Sequence, residues 1–164
     1  MTLTEKDKFC EYIREHENAM YALALSILNN QADAGEAVSE SVFRAYKNLD
    51  TLKNKKSFKP WILRIVHNTA VEMIRKNERM IPMDEIPVTT DNSSQDLTAK
   101  LALRDAVAGL KQPYRTLVVL FYYEDFSTAR IAQITNTNIV TVRKQLSRAR
   151  KMLREILKED FNHE

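Results

Sequence analysis

The sequence has little of what crosslinks a chain, bends it tightly or carries it into a membrane. Its 164 residues include one cysteine, two glycines and four prolines. With a single cysteine no disulfide closes within the chain, which excludes a disulfide scaffold. Cys10 falls in an amphipathic stretch and is expected as a half-buried core thiol. So few glycines and prolines leave little material for the turns of a β-rich fold, so an all-α fold is expected. No apolar run approaches the roughly 20 residues that span a bilayer. The first residues, 1–9, are charged where a signal peptide is apolar, so a cytoplasmic location is expected. There is no glycine-rich phosphate loop and no nucleophile motif, and His16, His67 and His163 are far apart. Neither catalytic nor metal-binding residues are assigned, and no cofactor or small-molecule substrate is expected.

What the chain does have is charge, unevenly distributed. The net charge is only +3. Residues 1–50 nevertheless carry a balance of −4, residues 51–80 of +6, residues 81–110 of −3 and residues 130–164 of +4. Two basic zones separated by acidic ones suit a protein that touches a polyanion in two places.

Apolar spacing predicts two small helical domains. A helix over 4–28 carries Phe9, Ile13, Met20, Leu23, Ile27 and Leu28, and Asn29 and Asn30 break it. A second, over 33–49, has Ala37, Val38, Val42 and Tyr46 as its inner stripe. Residues 50–56 read as a polar, basic loop. Ser57 is expected to cap a third helix over 58–78, with Pro60 in the first turn, where a missing N–H is tolerated. That helix carries Trp61, Ile62, Ile65, Val66, Ala70, Met73 and Ile74. Residues 81–97 hold Pro82, Pro87 and a run of small polar residues, and read as a flexible linker. The domains are therefore expected at 1–80 and 98–164. In the second, Leu101, Leu103, Val107 and Leu110 mark one helix and Tyr114 to Tyr123 another.

Residues 127–150 are the strongest local signal. A short helix with Ile131, Ala132 and Ile134 inward meets a turn at Asn136, a residue that tolerates the left-handed backbone, and a second helix starts near Asn138. On that helix Val142, Leu146, Ala149, Leu153 and Ile156 repeat every three or four residues and face inward. The other face carries Thr141, Arg143, Lys144, Ser147, Arg148, Arg150 and Lys151. This is the composition of a recognition helix in a helix-turn-helix, where arginine and lysine pair with guanine edges and phosphates.

With its surroundings, this segment resembles a known family. Residues 105–127 followed by the helix-turn-helix resemble the −35-reading domain of bacterial RNA polymerase sigma factors. Residues 31–50 resemble their acidic helix that docks on the polymerase β′ coiled coil. Residues 57–76 resemble the helix following their −10-reading loop. The matches cover about four-fifths of the chain in family order, without the extra domains of housekeeping members, as in the small extracytoplasmic-function (ECF) group. Thr135–Asn136 stands where the family usually has a leucine-glycine pair, Thr137 where it has an aliphatic residue, and Arg130 where it often has an acid.

The resemblance implies a promoter-reading subunit, not an enzyme. Its partners would be core RNA polymerase (β′ and β subunits), promoter DNA and a membrane-bound anti-sigma factor acting in envelope or extracellular stress. Asp33, Glu36 and Glu40, on one helix face with Ser41 and Phe43 at its margins, would bind polymerase. The −10 element would be held by Lys53, Lys55, Lys56, Phe58, Lys59, Trp61, Arg64, Asn68, Arg75 and Lys76. The −35 element would be held by Asn138, Thr141, Arg143, Lys144, Ser147, Arg148 and Lys151. His67 is expected to be structural. A stand-alone helix-turn-helix regulator is the alternative, and it has no use for the acidic docking helix.

Overall fold

The structure, a computed structural model, describes residues 4–78 and 98–162, without the side chains of 98–100 and 160–162. The expected linker, 81–97, lies outside the described residues. Those described form helices and short helical turns, with no strand among them. Two compact units divide the chain, one centred on helices near its start and the other on helices near its end.

In the first unit α1 spans Glu5–Leu28, α2 Gln31–Lys47 and α3 Phe58–Glu78. Each start has a local cause. Thr4 and Asp7 form a reciprocal capping box, with Asp7 N–H donating to Thr4 Oγ1 at 3.3 Å and Thr4 N–H donating to Asp7 Oδ2 at 3.2 Å. Asn29 ends α1 in the left-handed region at φ 53°, and Asn30 then caps α2 by accepting from Asp33 N–H at 3.0 Å. Two adjacent asparagines thus end one helix and begin the next. Between α2 and α3 the expected loop contains two 3-10 turns, Leu49–Thr51 and Lys55–Ser57. Ser57 lies within the second turn instead of capping α3, and Asn54 caps that turn through Lys56 N–H at 3.0 Å.

The three helices bury Phe9, Met20, Leu23, Ile27, Phe58, Ile62, Leu63 and Val66. The inner stripe of α2 is Ala34, Ala37, Ser41 and Ala45, residues small enough for close helix approach. Tyr46, expected in that stripe, is 50% exposed. Cys10, expected to be half-buried, is exposed, because α1 is buried along one narrow side and Phe9 takes the inward position.

The helices after residue 97 are α4 (Thr98–Ala108), α5 (Tyr114–Val118), α6 (Thr128–Thr135) and α7 (Ile139–Asn162). The stretch read as one helix over 114–123 changes to π-helical winding over Val119–Tyr123. Ala106, Val107, Leu110, Val118, Ala149 and Leu153 form the buried cluster, with Met152, Ile156 and Leu157 packed against it. Leu103, expected inward on α4, is exposed, since Ala106 and Val107 set the buried side of that helix.

Candidate functional site

The helix-turn-helix is assembled by backbone caps. Ser127 Oγ accepts from Arg130 N–H at 3.1 Å and starts α6. Arg130 thus occupies the position from which an acid would close a capping box, so the cap runs one way. At the turn Asn136 adopts φ 51°, and Thr137 N–H donates to Ala132 O at 3.0 Å, closing α6. Asn138 Oδ1 then accepts from Val140 N–H at 2.8 Å, so the side chain of Asn138 caps α7. Ile131 and Ile134 of α6 are buried, as are Val142, Leu146, Ala149 and Leu153 of α7.

All seven residues expected at the −35 element are exposed. Thr141, Arg143, Lys144, Ser147, Arg148 and Lys151 lie on the side of α7 away from its buried stripe, and Asn138 stands at its start. The sequence reading missed Val140. This valine is 52% exposed and shares the outer side with Lys144, Ser147 and Lys151 at helical spacing. Val142, two residues on, sets the buried stripe and leaves Val140 outside it.

The residues expected at the −10 element divide into groups. Lys53 is exposed between the two turns before α3, and Lys55 and Lys56 are exposed on the second of them. Arg64, Asn68 and Arg75 are exposed on α3 at spacings of four and seven, on one side of the helix. Lys59 is half-buried. Trp61 is half-buried too, and its indole N–H donates to Thr51 Oγ1 at 3.2 Å. Phe58 is not a surface residue: it is 1% exposed. Its ring packs against Phe9, Tyr12, His16 and Trp61 at centroid distances of 6.3, 5.1, 5.6 and 5.6 Å. A ring enclosed by four others has no face left for an unstacked base, so Phe58 is a core anchor. His67 Nδ1 is buried without a partner, and burial pushes its imidazole below the ordinary value, against a weaker opposing hydrogen bond with Asn68.

The remaining basic residue of that set, Lys76, joins a different feature. It lines a cleft of about 530 Å³ between α2 and α3, together with Asp33, Glu36, Glu40, Arg44 and Glu72. The three expected docking residues are therefore brought together at one cleft. Arg44 spans it. Its Nε donates to Glu40 Oε1 at 3.0 Å along α2, and its Nη1 donates to Glu72 Oε2 at 2.7 Å on α3. Lys76 Nζ lies 3.7 Å from Glu72 Oε1. The Arg44 hydrogen bond holds the Glu72 carboxyl below the usual carboxylate range, and both glutamates raise Arg44. Glu72 was missed in the sequence, because a pairing across 28 residues leaves no local signal. Phe43 is 54% exposed on α2, with Lys47 Nζ 4.3 Å from its ring centroid. Among the described residues no group of His, Cys, Asp or Glu could hold a metal ion, and no helix is long and apolar enough to cross a membrane.

A helix-turn-helix with a basic outer face, in one chain with a separate three-helix unit, defines a class of helical DNA-reading proteins. Comparison with known proteins narrows the class. Residues 12–80 match sigma-70 region 2 and residues 100–153 match sigma-70 region 4. The chain is 32% identical over 161 residues to the RNA polymerase sigma factor SigV of Bacillus subtilis, covering 97% of each protein. It is 27% identical over 171 residues to the ECF RNA polymerase sigma factor SigW of the same organism, covering 94% of this chain and 91% of SigW. In fold it is similar to the sigma factor RpoE of Bartonella quintana, solved in complex with the anti-sigma factor NepR. The TM-score is 0.77 at 23% identity over 92% of this chain and 97% of that one. The chain belongs to the sigma-70 family of RNA polymerase sigma factors, in its ECF group.

Proposed function

We propose that this chain docks on core RNA polymerase through the α2–α3 cleft and directs it to promoters whose two elements meet its two basic surfaces. Residues 1–80 act on the −10 region and residues 98–164 on the −35 element. The observation that carries this reading is the separation of charge: an acidic cleft in the first unit, and an outer side of α7 on which all the expected polar residues are exposed. A regulator acting alone has use for the second and none for the first.

Lys53, Lys55, Lys56, Lys59, Arg64, Asn68 and Arg75 form the −10 surface, with Trp61 as the aromatic at its edge. Unpaired bases are held by stacking and positive charge, not by a duplex code. On α7, Arg143, Lys144, Arg148 and Lys151 meet phosphates and guanine edges, Thr141 and Ser147 meet backbone or bases, and Asn138 orients the helix start. Val140 lies in the first turn, where recognition helices approach base edges, and its exposed methyls suit a thymine methyl. The protein acts in the cytoplasm and is not an enzyme in its own right. A membrane-bound anti-sigma factor holds it inactive until envelope or extracellular stress. The likeness to a sigma factor solved with an anti-sigma partner supports the capacity of this fold for such a complex.

The test is co-elution of the purified chain with core polymerase lacking any sigma, followed by transcription from a genomic promoter pool. Co-elution with new, defined start sites is the expected result. Duplex-DNA binding without polymerase binding would sink this reading in favour of a regulator acting alone.

A further inference from the structure

The loop between α2 and α3 carries the exposed Lys53, Lys55 and Lys56, and its first turn is tied to both helices. Asn48 Nδ2 donates to Arg44 O at 2.8 Å at the end of α2. Thr51 Oγ1 donates to Asn48 O at 2.7 Å and accepts from the Trp61 indole N–H of α3 at 3.2 Å. One hydroxyl thus acts as donor towards α2 and as acceptor towards α3. The indole is fixed from a second direction, its ring centroid lying 5.6 Å from that of the enclosed Phe58. Past Thr51 the backbone is extended at Leu52 and Asn54, with ψ 102° and 125°, before the second turn begins. Lys53 sits on that stretch, and Lys55 and Lys56 follow on the second turn. Trp61 lies on the same side of α3 as Arg64, Asn68 and Arg75, at spacings of three, seven and fourteen. The Thr51–Trp61 hydrogen bond therefore joins the loop that bears the lysines to the helix side that bears the arginines.

Resting on the −10 reading, we propose that Thr51 is a positioning residue that acts through Trp61. It holds the lysine loop against the Arg64, Asn68 and Arg75 side of α3, so that an opened strand meets one preformed surface. A surface assembled before binding loses none of its binding energy to ordering a loop. Without the hydroxyl the loop keeps its lysines and α3 keeps its arginines, but the tie that sets one against the other is gone before the strand arrives. The hydrogen bond lies at an exposed position, where water replaces a lost partner, so its removal changes folding little. Valine has the shape of threonine without the hydroxyl, and serine keeps the hydroxyl without the methyl.

The experiment uses the full chain with sigma-free core polymerase on a promoter recovered from the genomic pool. It compares the parent with Thr51→Val, Thr51→Ser, Trp61→Phe and the double variant Thr51→Val with Trp61→Phe. Polymerase binding, the rate of promoter opening and thermal unfolding are measured for each. Trp61 is the chain's single tryptophan, so acrylamide quenching of fluorescence in the free chain reports its indole. Thr51→Val is expected to open the promoter roughly fivefold more slowly, as for one neutral hydrogen bond. Its polymerase binding and unfolding midpoint should stay parent-like, and its indole should become more open to the quencher. Thr51→Ser is expected to match the parent in opening and in quenching. The double variant is expected to open no more slowly than Trp61→Phe alone. Unchanged quenching or unchanged opening in Thr51→Val overturns the proposal. So does a Thr51→Ser variant as slow as Thr51→Val, or losses that add fully in the double variant. Should Thr51→Val fail to fold, Thr51→Ala takes its place with the same expectations. Lys55→Ala combined with Lys56→Ala separates the two readings. Slow opening there with parent-like Thr51→Val leaves the −10 reading standing and overturns only the role of Thr51. If the lysine variant opens the promoter like the parent, the −10 reading falls and this proposal with it.

Discussion

At the scale of single residues, burial decides which of several chemically plausible side chains face outward. His67 is the case with a pH consequence. Its imidazole is depressed by burial in the folded chain, while in the unfolded chain it titrates near about 6.5. As pH falls through that value the unfolded chain takes up the proton first, so folding stability is lost from about 6.5 down to the lower native value. It is fully present above the unfolded value. Thermal unfolding of the protein between pH 7.5 and 5 should therefore show a falling midpoint, and His67→Gln should flatten that fall relative to the parent. On α7, Arg143→Ala or Lys144→Ala should lower −35-dependent transcription and leave polymerase binding intact. A lost bidentate guanine contact would cost about 1–3 kcal/mol at one base position. A lost phosphate contact would instead weaken all sequences alike and reduce the salt slope by about one. Val140→Ala should relax a thymine preference severalfold in binding assays on promoter variants. Nothing in the residue types distinguishes Val140 from Val142. Their exposure follows from the helical phase that Leu146 and Ala149 fix.

At the scale of elements, caps and periodicity were readable in the sequence and their interruptions were less so. The expected bounds of α3, 58–78, are those found, because apolar residues at helical spacing run through it and Pro60 lies in its first turn. The left-handed turn at Asn136 and the start of α7 after Asn138 follow from asparagine chemistry. The change to π-helical winding at 119–123 had no signal, since Val119 to Tyr123 reads as unbroken apolar sequence. The placement of Phe58 was equally hidden. Its enclosure depends on Phe9, Tyr12 and His16 of α1, more than 40 residues away in sequence. Phe58→Ala should cost about 3–5 kcal/mol, as for other buried aromatics, and lower the unfolding midpoint before any promoter effect is seen. An undiminished midpoint with lost promoter opening would return Phe58 to the DNA surface. Asn138→Ala removes a cap worth about 1 kcal/mol. It should fray the start of α7 and weaken −35 binding, while Asn138→Ser keeps most of both.

At the scale of the whole molecule, the two basic surfaces proposed for the −10 and −35 elements are modest, so free binding to DNA should be weak and salt-dependent. Polymerase raises the effective concentration of one surface once the other is engaged. The free chain should therefore retain promoter DNA poorly, and the polymerase complex strongly, in filter-binding assays over a salt series. Charge reversal should act unequally at the cleft. Among the described residues Glu36 has no ion-pair partner, whereas Glu40 is held by Arg44, so Glu36→Lys should weaken polymerase binding through lost attraction. Glu40→Lys should lose the same attraction and also release Arg44. Both effects are electrostatic at exposed positions, so a titration of polymerase binding should show both losses shrinking as ionic strength rises.

The amino-acid sequence by itself determined the helical class, the two-part organisation, the helix-turn-helix and the family, because periodicity, caps and motif order are local properties of the chain. Tertiary structure alone decided that Phe58 is enclosed, that Tyr46 and Val140 face outward, and that Lys76 lines the acidic cleft beside Glu72. It also joined Glu72 through Arg44 to Glu40, one of the expected docking residues. Each of these depends on which side of one helix meets another, and that is set by packing between residues far apart in sequence.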